Sequence, residues 1–431
     1  PLNGVMAGGT TVEVEGTHFS ARSAQLGYLR CRFHSTSVPA TLHNSSLLRC
    51  VSPPNEAAGY VRLEVTNNAQ DFSNSAVKFA YRAEVEVASV LPGSGQLEDN
   101  TLVDVRGVGF VSGGGLLCQF GAYGSVAASL VDGSWLQCRA PAALDRGLVA
   151  VEVSVNGGGD FSRSGVAFRY ELAAVPQLAV PSSGPPLGST LVSVLGTAFS
   201  NSMLLACRFN HTRVQAIFIS STVINCTAPP HAAGEVALDV TTNGVDFSAA
   251  NVSYLFISRA RVRVVLPTAG PTAGSTNVTV LGSHLLPGSS CRFGDLPALS
   301  SSWLSENELV CVSPVQTCSD HAGCPHAVEV TSNNVDWSSD RVQFSYRSAV
   351  SVASLSPVVG PMLGGTVLTV SGTGMLRAGP LSCRFAGEVA MRATWMDGGS
   401  VACVTPPLPG TWPLVVVEVS SNNQQFSADG V

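Results

Sequence analysis

The residues best suited to chemistry lie in a short motif that occurs five times. Its clearest form is NGVDFS at 243–248, and its variants are NNAQDFS (67–73), NGGGDFS (156–162), NNVDWS (333–338) and NNQQFS (422–427). An acid close to an amide, an aromatic ring and a hydroxyl is a combination that a general acid or a metal site can use.

The fifth copy argues against that chemistry, because Gln425 stands where the other copies have Asp. A general acid or a metal ligand does not readily accept this replacement. Asn-Gly and Asn-Asn tolerate the positive φ of a tight hairpin turn. We therefore interpret the motif as a turn in which the Asp accepts backbone hydrogen bonds and the aromatic residue returns to the core.

Four landmarks recur in one order around the motif. They are an alternating strand that ends in glycine, a Cys-Arg/Gln-Phe triplet, a Cys-x-x-Pro segment, and a second alternating strand that leads into the motif. The terminal glycines, Gly16, Gly107, Gly196, Gly282 and Gly372, are 91, 89, 86 and 90 residues apart. The whole chain is therefore five copies of one unit.

The strands have apolar residues at every second position, as at Val236, Leu238 and Val240. This period buries one face of a strand, and frequent turn signals without a sustained helical period favour an antiparallel β-sandwich in each copy. We predict an all-β chain with domains at 1–82, 83–170, 171–256, 257–347 and 348–431.

The connections between copies contain no Gly/Ser-rich or Pro-rich spacer. We therefore expect the five domains to form a semi-rigid, elongated rod of roughly 150–200 Å, if each contributes strands of about ten residues. Pro1-Leu-Asn-Gly matches the Pro-x-x-Gly segments at Pro181 and Pro267, so the first strand of domain one is expected to be missing. Domain five is expected to lack its last strand, and the natural protein is expected to continue on both sides.

These combined landmarks resemble the IPT/TIG domain, which is found in plexins, in the hepatocyte growth factor receptor and in fibrocystin-type proteins. The resemblance extends over all five copies. It implies an early-set immunoglobulin-like sandwich in an extracellular stalk. It does not by itself decide the compartment, because a TIG domain is also the dimerisation module of Rel-type transcription factors.

The cysteines favour the extracellular alternative. Ten of the twelve form one pair per copy, and the two members of a pair are 19 or 20 residues apart. Constant pairing within a copy is what a disulfide between strands produces, whereas buried free thiols do not require both members in every copy. The prediction is five disulfides in an oxidising compartment. The pairs are Cys31 with Cys50, Cys118 with Cys138, Cys207 with Cys226, Cys291 with Cys311, and Cys383 with Cys403.

The remaining cysteines, Cys318 and Cys324, lie in an insertion unique to copy four. Together with His321 and His326 they can be read as a compact zinc site. The spacing does not match a standard zinc finger, so we favour a small disulfide-closed loop and predict no metal or other cofactor. The histidines of the chain do not recur with the repeat, and no catalytic motif is present, so no enzyme is predicted.

Five Asn-x-Ser/Thr sequons, at Asn44, Asn210, Asn225, Asn251 and Asn277, are candidate N-glycosylation sites. Among the tryptophans, Trp303 and Trp395 occupy an apolar slot shared with Phe218 and Leu42, and we interpret them as core. Trp135 and Trp412 do not occupy an apolar position that all five repeats share. They are the candidates for contact with a partner or a neighbouring domain.

The net charge of −6 gives no reason to expect a nucleic acid partner, and no apolar run is long enough to insert into a membrane. The basic residues are nearly all Arg, a bias typical of a GC-rich genome such as that of some green algae. We expect an extracellular structural or adhesive protein, such as a spacer or part of an algal ciliary or cell-wall filament. Expected partners are other protein chains, including copies of itself, with attached glycans.

Two alternatives remain open from the sequence. One is the ectodomain stalk of a plexin-like or fibrocystin-like receptor whose ligand site lies elsewhere. The other is an array of carbohydrate-binding modules, in which Trp135 and Trp412 would stack on sugars.

Overall fold

The computed structural model describes residues 1–98, 100–112, 115–249, 252–318, 323–375, 377, 379–397, 399–408 and 414–431. These residues form two compact units. The first unit comprises Pro1–Leu178, Val194–Cys226 and Leu238–Val252, and the second comprises Ala179–Ser193, Thr227–Ala237 and Ser253–Val431. Repeats one and two lie in the first unit, repeats four and five lie in the second, and the segments of repeat three are divided between them.

Repeat one contains seven strands and one short helix: β1 (Asn3–Val5), β2 (Thr11–Glu15), α1 (Ala21–Gln25), β3 (Arg30–Phe33), β4 (Thr36–Asn44), β5 (Leu47–Val51), β6 (Gly59–Thr66) and β7 (Lys78–Arg82). The strand order is β1-β7-β6-β3-β4-β5-β2. The first half of β4 pairs with β3 and its second half pairs with β5, so this long strand passes from one layer of the sandwich to the other. All pairings are antiparallel except that of β1 with β7.

Repeat two has the same plan with one more strand at its start. Its strands are β8 (Glu86–Leu91), β9 (Ser94–Gln96), β10 (Leu102–Val108), β11 (Leu117–Phe120), β12 (Ser125–Asp132), β13 (Trp135–Arg139), β14 (Gly147–Ser154) and β15 (Val166–Glu171), and a 3₁₀ turn covers Gly121–Tyr123. Their order is β8-β10-β13-β12-β11-β14-β15-β9. The short strand β9 is again parallel to the last strand.

Repeat three consists of β16 (Val175–Val180), β17 (Ser183–Gly184), β18 (Leu191–Thr197), β19 (Ala206–Phe209), β20 (Thr212–Ser220), β21 (Val223–Thr227), β22 (Gly234–Thr241) and β23 (Ser253–Phe256). Within the first unit, β19 pairs antiparallel with β20 and with residues 238–241 of β22. Within the second unit, β23 pairs with residues 234–237 of β22 and, in parallel, with β17.

Repeat four has two separate sheets. Its strands are β24 (Arg261–Leu266), β25 (Ala269–Pro271), β26 (Asn277–Ser283), β27 (Ser290–Phe293), β28 (Leu296–Pro297), β29 (Ser300–Ser305), β30 (Glu308–Val312), β31 (Cys324–Thr331) and β32 (Gln343–Arg347). The orders are β24-β26-β30-β29 and β25-β32-β31-β27-β28. The core lies between the sheets, where Val278, Val280 and Leu309 of the first meet Phe293 and Phe344 of the second.

Repeat five comprises β33 (Ser351–Ser356), β34 (Val367–Thr373), β35 (Ser382–Phe385), β36 (Val389–Arg392), β37 (Thr394–Asp397), β38 (Ser400–Val404) and β39 (Val417–Ser420). Its sheets have the orders β33-β34-β38-β37 and β36-β35-β39. Its second sheet is therefore smaller than the corresponding sheet of repeat four.

In repeats two and four, the glycine that ends the alternating strand is required because another strand comes close. A Cβ placed on Gly107 would lie 2.0 Å from the carbonyl oxygen of Glu86, and one on Gly282 would lie 2.0 Å from that of Arg261. Each partner belongs to or borders the first strand of its repeat. The repeated glycine thus permits the close approach of these two strands.

The position two residues after this glycine has a positive φ in all five repeats. His18 and His284 have φ values of 63° and 57°, and Ala198, Gly109 and Gly374 have values of 58°, 83° and 76° in the same slot. A left-handed conformation, rather than imidazole chemistry, is the property that the five residues share.

Candidate functional site: the joints between repeats

The Asn of the repeated motif shapes the turn. In NGVDFS, Oδ1 of Asn243 accepts the backbone N–H groups of Val245 and Asp246 at 3.1 and 2.9 Å. The corresponding Asn accepts backbone N–H groups in the other four copies, at Asn68, Asn156, Asn333 and Asn422. The side chain that holds the turn is therefore the amide, and the expectation that the Asp has this role is wrong.

The Asp side chain instead reaches into the preceding repeat. The hydroxyl of Thr101 in repeat two donates a 2.6 Å hydrogen bond to Oδ2 of Asp246 in repeat three. Thr10 donates likewise to Asp160 at 2.6 Å. Nδ2 of Asn243 donates to the Asp246 carboxylate at 2.7 Å and to the carbonyl oxygen of Ser94 at 3.0 Å.

Two of these joints lie within the first unit, and the second unit contains the same arrangement. Thr190 donates to Asp336 at 2.8 Å, and Nδ2 of Asn333 donates to Asp336 and to the carbonyl oxygen of Ser183, both at 2.7 Å. We call this arrangement the clasp: a Thr hydroxyl and a short-strand carbonyl of one repeat, bound by the Asp and Asn of the next repeat.

The joint between repeats four and five has a neutral version of the clasp. The hydroxyl of Thr276 donates to Oε1 of Gln425 at 3.1 Å, and Nε2 of Gln425 donates to the carbonyl oxygen of Ser275 at 2.9 Å. Gln424 adds two bonds of 2.7 Å to the backbone N–H and carbonyl of Asn277. The amide can replace the carboxylate because the position must accept a hydroxyl, which does not require a charge.

The motif turns that take part in a joint are more buried than the motif turn of repeat one. The four clasp threonines are at most 1% exposed, and Asn243 is 3% exposed. In repeat one, Asn68 and Asp71 form the same turn but are exposed. The turn therefore forms from local hydrogen bonds alone, and the joint is what buries it.

The joint between repeats three and four affects the pKa of Tyr254. Tyr254, in the last strand of repeat three, has its pKa raised mainly by burial. Its hydrogen bond with Thr190 lowers the pKa, and the negative charge of Asp336 raises it further. The tyrosine therefore remains protonated beside the clasp.

The aromatic residue of the motif lies under an arginine instead of in the core. The guanidinium of Arg208 lies 4.0 Å from the ring centroid of Phe247 and pairs with Asp239 at 2.7 Å. These rings are only half-buried, so the expectation of a core position is wrong. Phe72, Trp337 and Phe426 are covered in the same way by Arg32, Arg292 and Arg384, at 3.9, 4.4 and 4.2 Å.

Repeat two lacks this arginine, because Gln119 occupies its position. The acid on the neighbouring strand, Glu152, instead accepts hydrogen bonds from the Ser162 hydroxyl and from the backbone N–H groups of Ser164 and Gly165. The carboxylate is thus satisfied by the loop that follows the motif.

Each repeat has one disulfide that connects the two layers of the sandwich. The Cα–Cα distances of these five disulfides are 6.2–6.3 Å. The partners are those expected from the sequence: Cys31 with Cys50, Cys118 with Cys138, Cys207 with Cys226, Cys291 with Cys311, and Cys383 with Cys403.

The insertion of repeat four is also closed by a disulfide, between Cys318 and Cys324. The ring of His326 is hydrogen-bonded to the side chain of Gln316 at 2.8 Å. His321 lies outside the described residues. Both cysteines of the alternative zinc site are thus joined to each other, as expected for the small closed loop.

The sequons differ in accessibility. Asn44 and Asn210 are exposed at turns, and Asn277 is exposed on β26 while its backbone is held by Gln424. Asn225 is half-buried next to Cys226, and Asn251 lies outside the described residues. Glycosylation of these sites remains a prediction.

Trp135 and Trp303 are placed by contacts within their own repeats. Trp135 is half-buried, its Nε1 donates to Asp104 at 3.1 Å, and the guanidinium of Arg106 lies 4.1 Å from its ring. Trp412 lies outside the described residues. Trp303 is 40% exposed and donates to the carbonyl oxygen of Leu285, so its expected core position is wrong.

The part of the chain that the structure describes contains no cluster of acidic, histidine or cysteine side chains suited to a metal ion. Nor does any helix in the described ranges have the length and apolar character needed to cross a membrane.

Comparison with known proteins decides the family. A model of the IPT/TIG domain matches residues 1–81, 86–170, 176–256, 260–346 and 351–431. The chain belongs to the IPT/TIG family. This confirms the resemblance and the all-β, tandem immunoglobulin-like fold expected from the sequence. The domain boundaries stated above stay predictions.

Relatives of the IPT/TIG chain include human fibrocystin-L, which is 27% identical over 304 residues that cover 67% of this chain and 7% of that protein. Plexin-A3 of Rattus norvegicus is 28% identical over 215 residues, covering 46% of this chain and 11% of the plexin. The chain thus spans about a tenth or less of these relatives. Among solved structures, the full extracellular region of plexin A4 aligns with 99% of this chain and 48% of its own length, at 12% identity and a TM-score of 0.34.

One repeated signal in the sequence could have revealed the clasp. A Thr precedes or begins the first alternating strand in every IPT/TIG repeat, at Thr10, Thr101, Thr190, Thr276 and Thr366. An ordinary strand-forming residue explains one such position, but an invariant hydroxyl in five copies indicates a specific acceptor.

Proposed function

We propose that this IPT/TIG chain is a non-enzymatic, extracellular spacer whose clasped joints limit bending between successive repeats. The observation that carries the proposal is the recurrence of the clasp at all four joints, three times with Asp and once with Gln. Bending a joint requires a buried Thr to lose its acceptor. A hydrogen bond to a charged group contributes about 1.5–3 kcal/mol, so each of the three joints with an Asp acceptor resists opening.

The extracellular assignment is supported by chemistry and by the relatives. Six disulfides in one chain are typical of an oxidising compartment. Fibrocystin-L and plexin-A3 are the kinds of protein in which similar repeats occur.

Small-angle X-ray scattering of the 431-residue chain tests the spacer role. The triple variant Asp160→Ala, Asp246→Ala, Asp336→Ala should show greater flexibility and a smaller mean maximum dimension than the wild type. Asp71→Ala is the matched control, since Asp71 occupies the same turn without a joint. Identical scattering from all three proteins would refute the proposed role of the clasp.

A second candidate is the stalk of a membrane-anchored receptor, which the matches to plexin-A3 favour. Extraction of the natural protein from cell surfaces distinguishes the receptor stalk from the spacer. A protein that is released only by detergent supports the receptor stalk, and a protein released by alkaline carbonate supports a peripheral spacer.

An adhesive or filament-forming role, as in an algal ciliary or cell-wall fibre, is a finer version of the spacer proposal. It requires binding to other protein chains or to copies of itself. Sedimentation velocity across a hundredfold concentration range should then show self-association. A chain that stays strictly monomeric would contradict the self-associating version.

A further inference from the structure

Repeat four has tryptophan at two positions that recur in the other repeats. Trp303 lies on β29, eight residues before Cys311, and Trp337 is the aromatic residue of the repeated motif. No other repeat has tryptophan at both positions. In repeat four the two residues line one cleft of about 410 Å³. Small-molecule sites in proteins have volumes of about 300–1,000 Å³, so the cleft is large enough for a ligand.

Trp303 is exposed although β29 keeps the strand register of the other repeats. It lies opposite Leu309, as Leu42 lies opposite Leu48 in repeat one. Leu42 packs against the core of its repeat, whereas Trp303 is 40% exposed. A shifted register therefore does not explain the exposed ring.

The cleft lies where a strand of the other sandwiches is divided. In repeats one to three, a continuous strand of eight or nine residues (β4, β12 or β20) pairs with both layers. In repeat four, β28 pairs with β27, and the separate strand β29 pairs with β30. Both β28 and β29 are edge strands of their sheets. Pro297 and Ser300 lie on either side of the division and line the cleft, which is therefore bounded by edges of both sheets.

Both indole rings are held in place by contacts within repeat four. Nε1 of Trp303 donates to the carbonyl oxygen of Leu285 at 3.0 Å. The guanidinium of Arg292 lies 4.4 Å from the ring centroid of Trp337 and pairs with Glu329 at 2.6 Å. Rings that are already ordered lose little conformational entropy when a ligand binds.

Hydroxyl and amide groups line the same cleft. They belong to Ser289, Ser290, Ser300, Ser301 and Asn334. Oγ of Ser301 accepts the backbone N–H of Cys291 at 3.2 Å, which leaves its O–H to donate to a ligand. Ser300 and Asn334 are exposed, so their side chains can exchange water for a ligand.

The charges near the cleft favour a neutral ligand. The described residues that line it are all uncharged. The guanidinium of Arg292 already lies against Trp337, where it repels a second cation. Arg292 is itself paired with Glu329, so it offers no free charge to an anion.

We propose that this cleft of repeat four binds a neutral pyranose sugar of a partner glycan. The C–H groups of a pyranose ring form an apolar face with slight positive charge, which stacks on the negative face of an indole ring. The sugar hydroxyls exchange hydrogen bonds with the serine hydroxyls and with the amide of Asn334. The proposal does not depend on the spacer role, because the clasp side chains Asn333 and Asp336 do not line the cleft.

Saturation-transfer NMR of the 431-residue chain with three sugars tests the inference: methyl β-D-glucopyranoside, methyl β-D-galactopyranoside and methyl α-D-mannopyranoside. At least one should bind saturably, and its ring C–H protons should receive the most saturation. Tetramethylammonium is the cationic comparison and should bind more weakly. No binding of any of the three sugars at about 10 mM, or tighter binding of tetramethylammonium, would overturn the proposal.

Variants of the chain locate the site. Trp303→Ala should weaken binding of the preferred sugar at least about tenfold, which corresponds to a loss of about 1.4 kcal/mol. Leu304→Ala is the matched control, since Leu304 is the next residue on β29, is 55% exposed and does not line the cleft. It should bind as the wild type does. Unchanged affinity in Trp303→Ala, or an equal loss in Leu304→Ala, would contradict the assignment.

A second variant guards against misfolding of Trp303→Ala. Trp337→Phe introduces the residue that the other four repeats have in the motif, so repeat four should still fold. It should weaken binding of the sugar, because the smaller ring offers less surface for stacking. Affinity equal to that of the wild type would exclude Trp337 from the site and overturn the proposal.

Discussion

At the scale of single residues, the recurring motif divides two tasks between its polar side chains. Asn243 closes the turn with its carbonyl oxygen, which leaves its amide group free to donate across the joint. Asp246 adds an acceptor for a buried hydroxyl of the preceding repeat. The replacement by Gln425 follows from this division, because a carboxamide oxygen can also accept a hydroxyl.

The clasp predicts a local loss of protection in Asp246→Ala. The hydroxyl of Thr101 would remain buried without its charged acceptor, which costs about 1–3 kcal/mol. Hydrogen exchange of peptides that contain residues 94–101 should accelerate by about tenfold or more, since about 1.4 kcal/mol is a factor of ten.

Asp246→Asn should give an intermediate effect, because it keeps an acceptor and loses only the charge. Asp71→Ala should leave exchange at every joint unchanged. Equal exchange in wild type and Asp246→Ala would show that the hydrogen bond adds nothing to the joint.

At the scale of elements, the last strands of repeats one to four (β7, β15, β23 and β32) are held by buried aromatic residues. Burial raises the pKa of Tyr81, Tyr170 and Tyr346 to about 12. The folded state therefore favours the protonated phenol, whereas an unfolded tyrosine titrates near its ordinary pKa of about 10.

Alkaline pH should accordingly destabilise these repeats. Above a pH of about 10 the unfolded chain loses phenolic protons that the folded chain keeps, so the free energy of unfolding falls with rising pH until the folded pKa of about 12 is passed. Below a pH of about 10 the contribution is fully present. Ultraviolet absorbance of the phenolate, together with circular dichroism, should show these tyrosines titrating late and with loss of structure.

Tyr170→Phe provides the control for this titration. It removes one ionisable group and also the hydrogen bond to Pro141, so the variant should be less stable at neutral pH and less sensitive to pH between about 10 and 12. Tyrosines that all titrate near their ordinary pKa of about 10 in the folded wild type would contradict the expected pKa shift.

At the scale of the whole chain, every repeat carries its own disulfide between layers, so stabilisation does not depend on any one repeat. A closed loop of about 20 residues contributes roughly 3 kcal/mol in the chain-entropy model. Reduction with a thiol under native conditions should therefore lower the unfolding temperature of all five repeats.

Mass spectrometry of non-reduced peptides is the direct check on the pairing. Unoxidised thiols at the paired positions in protein from its natural source would refute the extracellular assignment. The expected cross-linked peptides contain Cys31 with Cys50, Cys118 with Cys138, Cys207 with Cys226, Cys291 with Cys311, Cys318 with Cys324, and Cys383 with Cys403.

The sequence by itself determined the repeat, the sandwich and the family. Apolar alternation and glycines at fixed spacing are local signals, and each is repeated five times in this chain. The constant separation of the cysteines likewise identified the disulfide partners, because both members lie within one repeat. These features depend on short-range backbone geometry and on burial, and both can be predicted from the pattern of residue types along the chain.

Only the tertiary structure decided what the motif contacts. Thr101 and Asp246 are 145 residues apart. The repeated Thr indicates that its hydroxyl has an acceptor, but no local pattern indicates that the acceptor is this carboxylate. The predicted core position of the aromatic ring was wrong for a similar reason. The ring of Phe247 lies under Arg208, and this contact depends on a neighbouring strand. Hydrogen bonds and ring contacts between distant segments follow from how sheets and repeats pack, and that packing is not encoded in the spacing of residues along the chain.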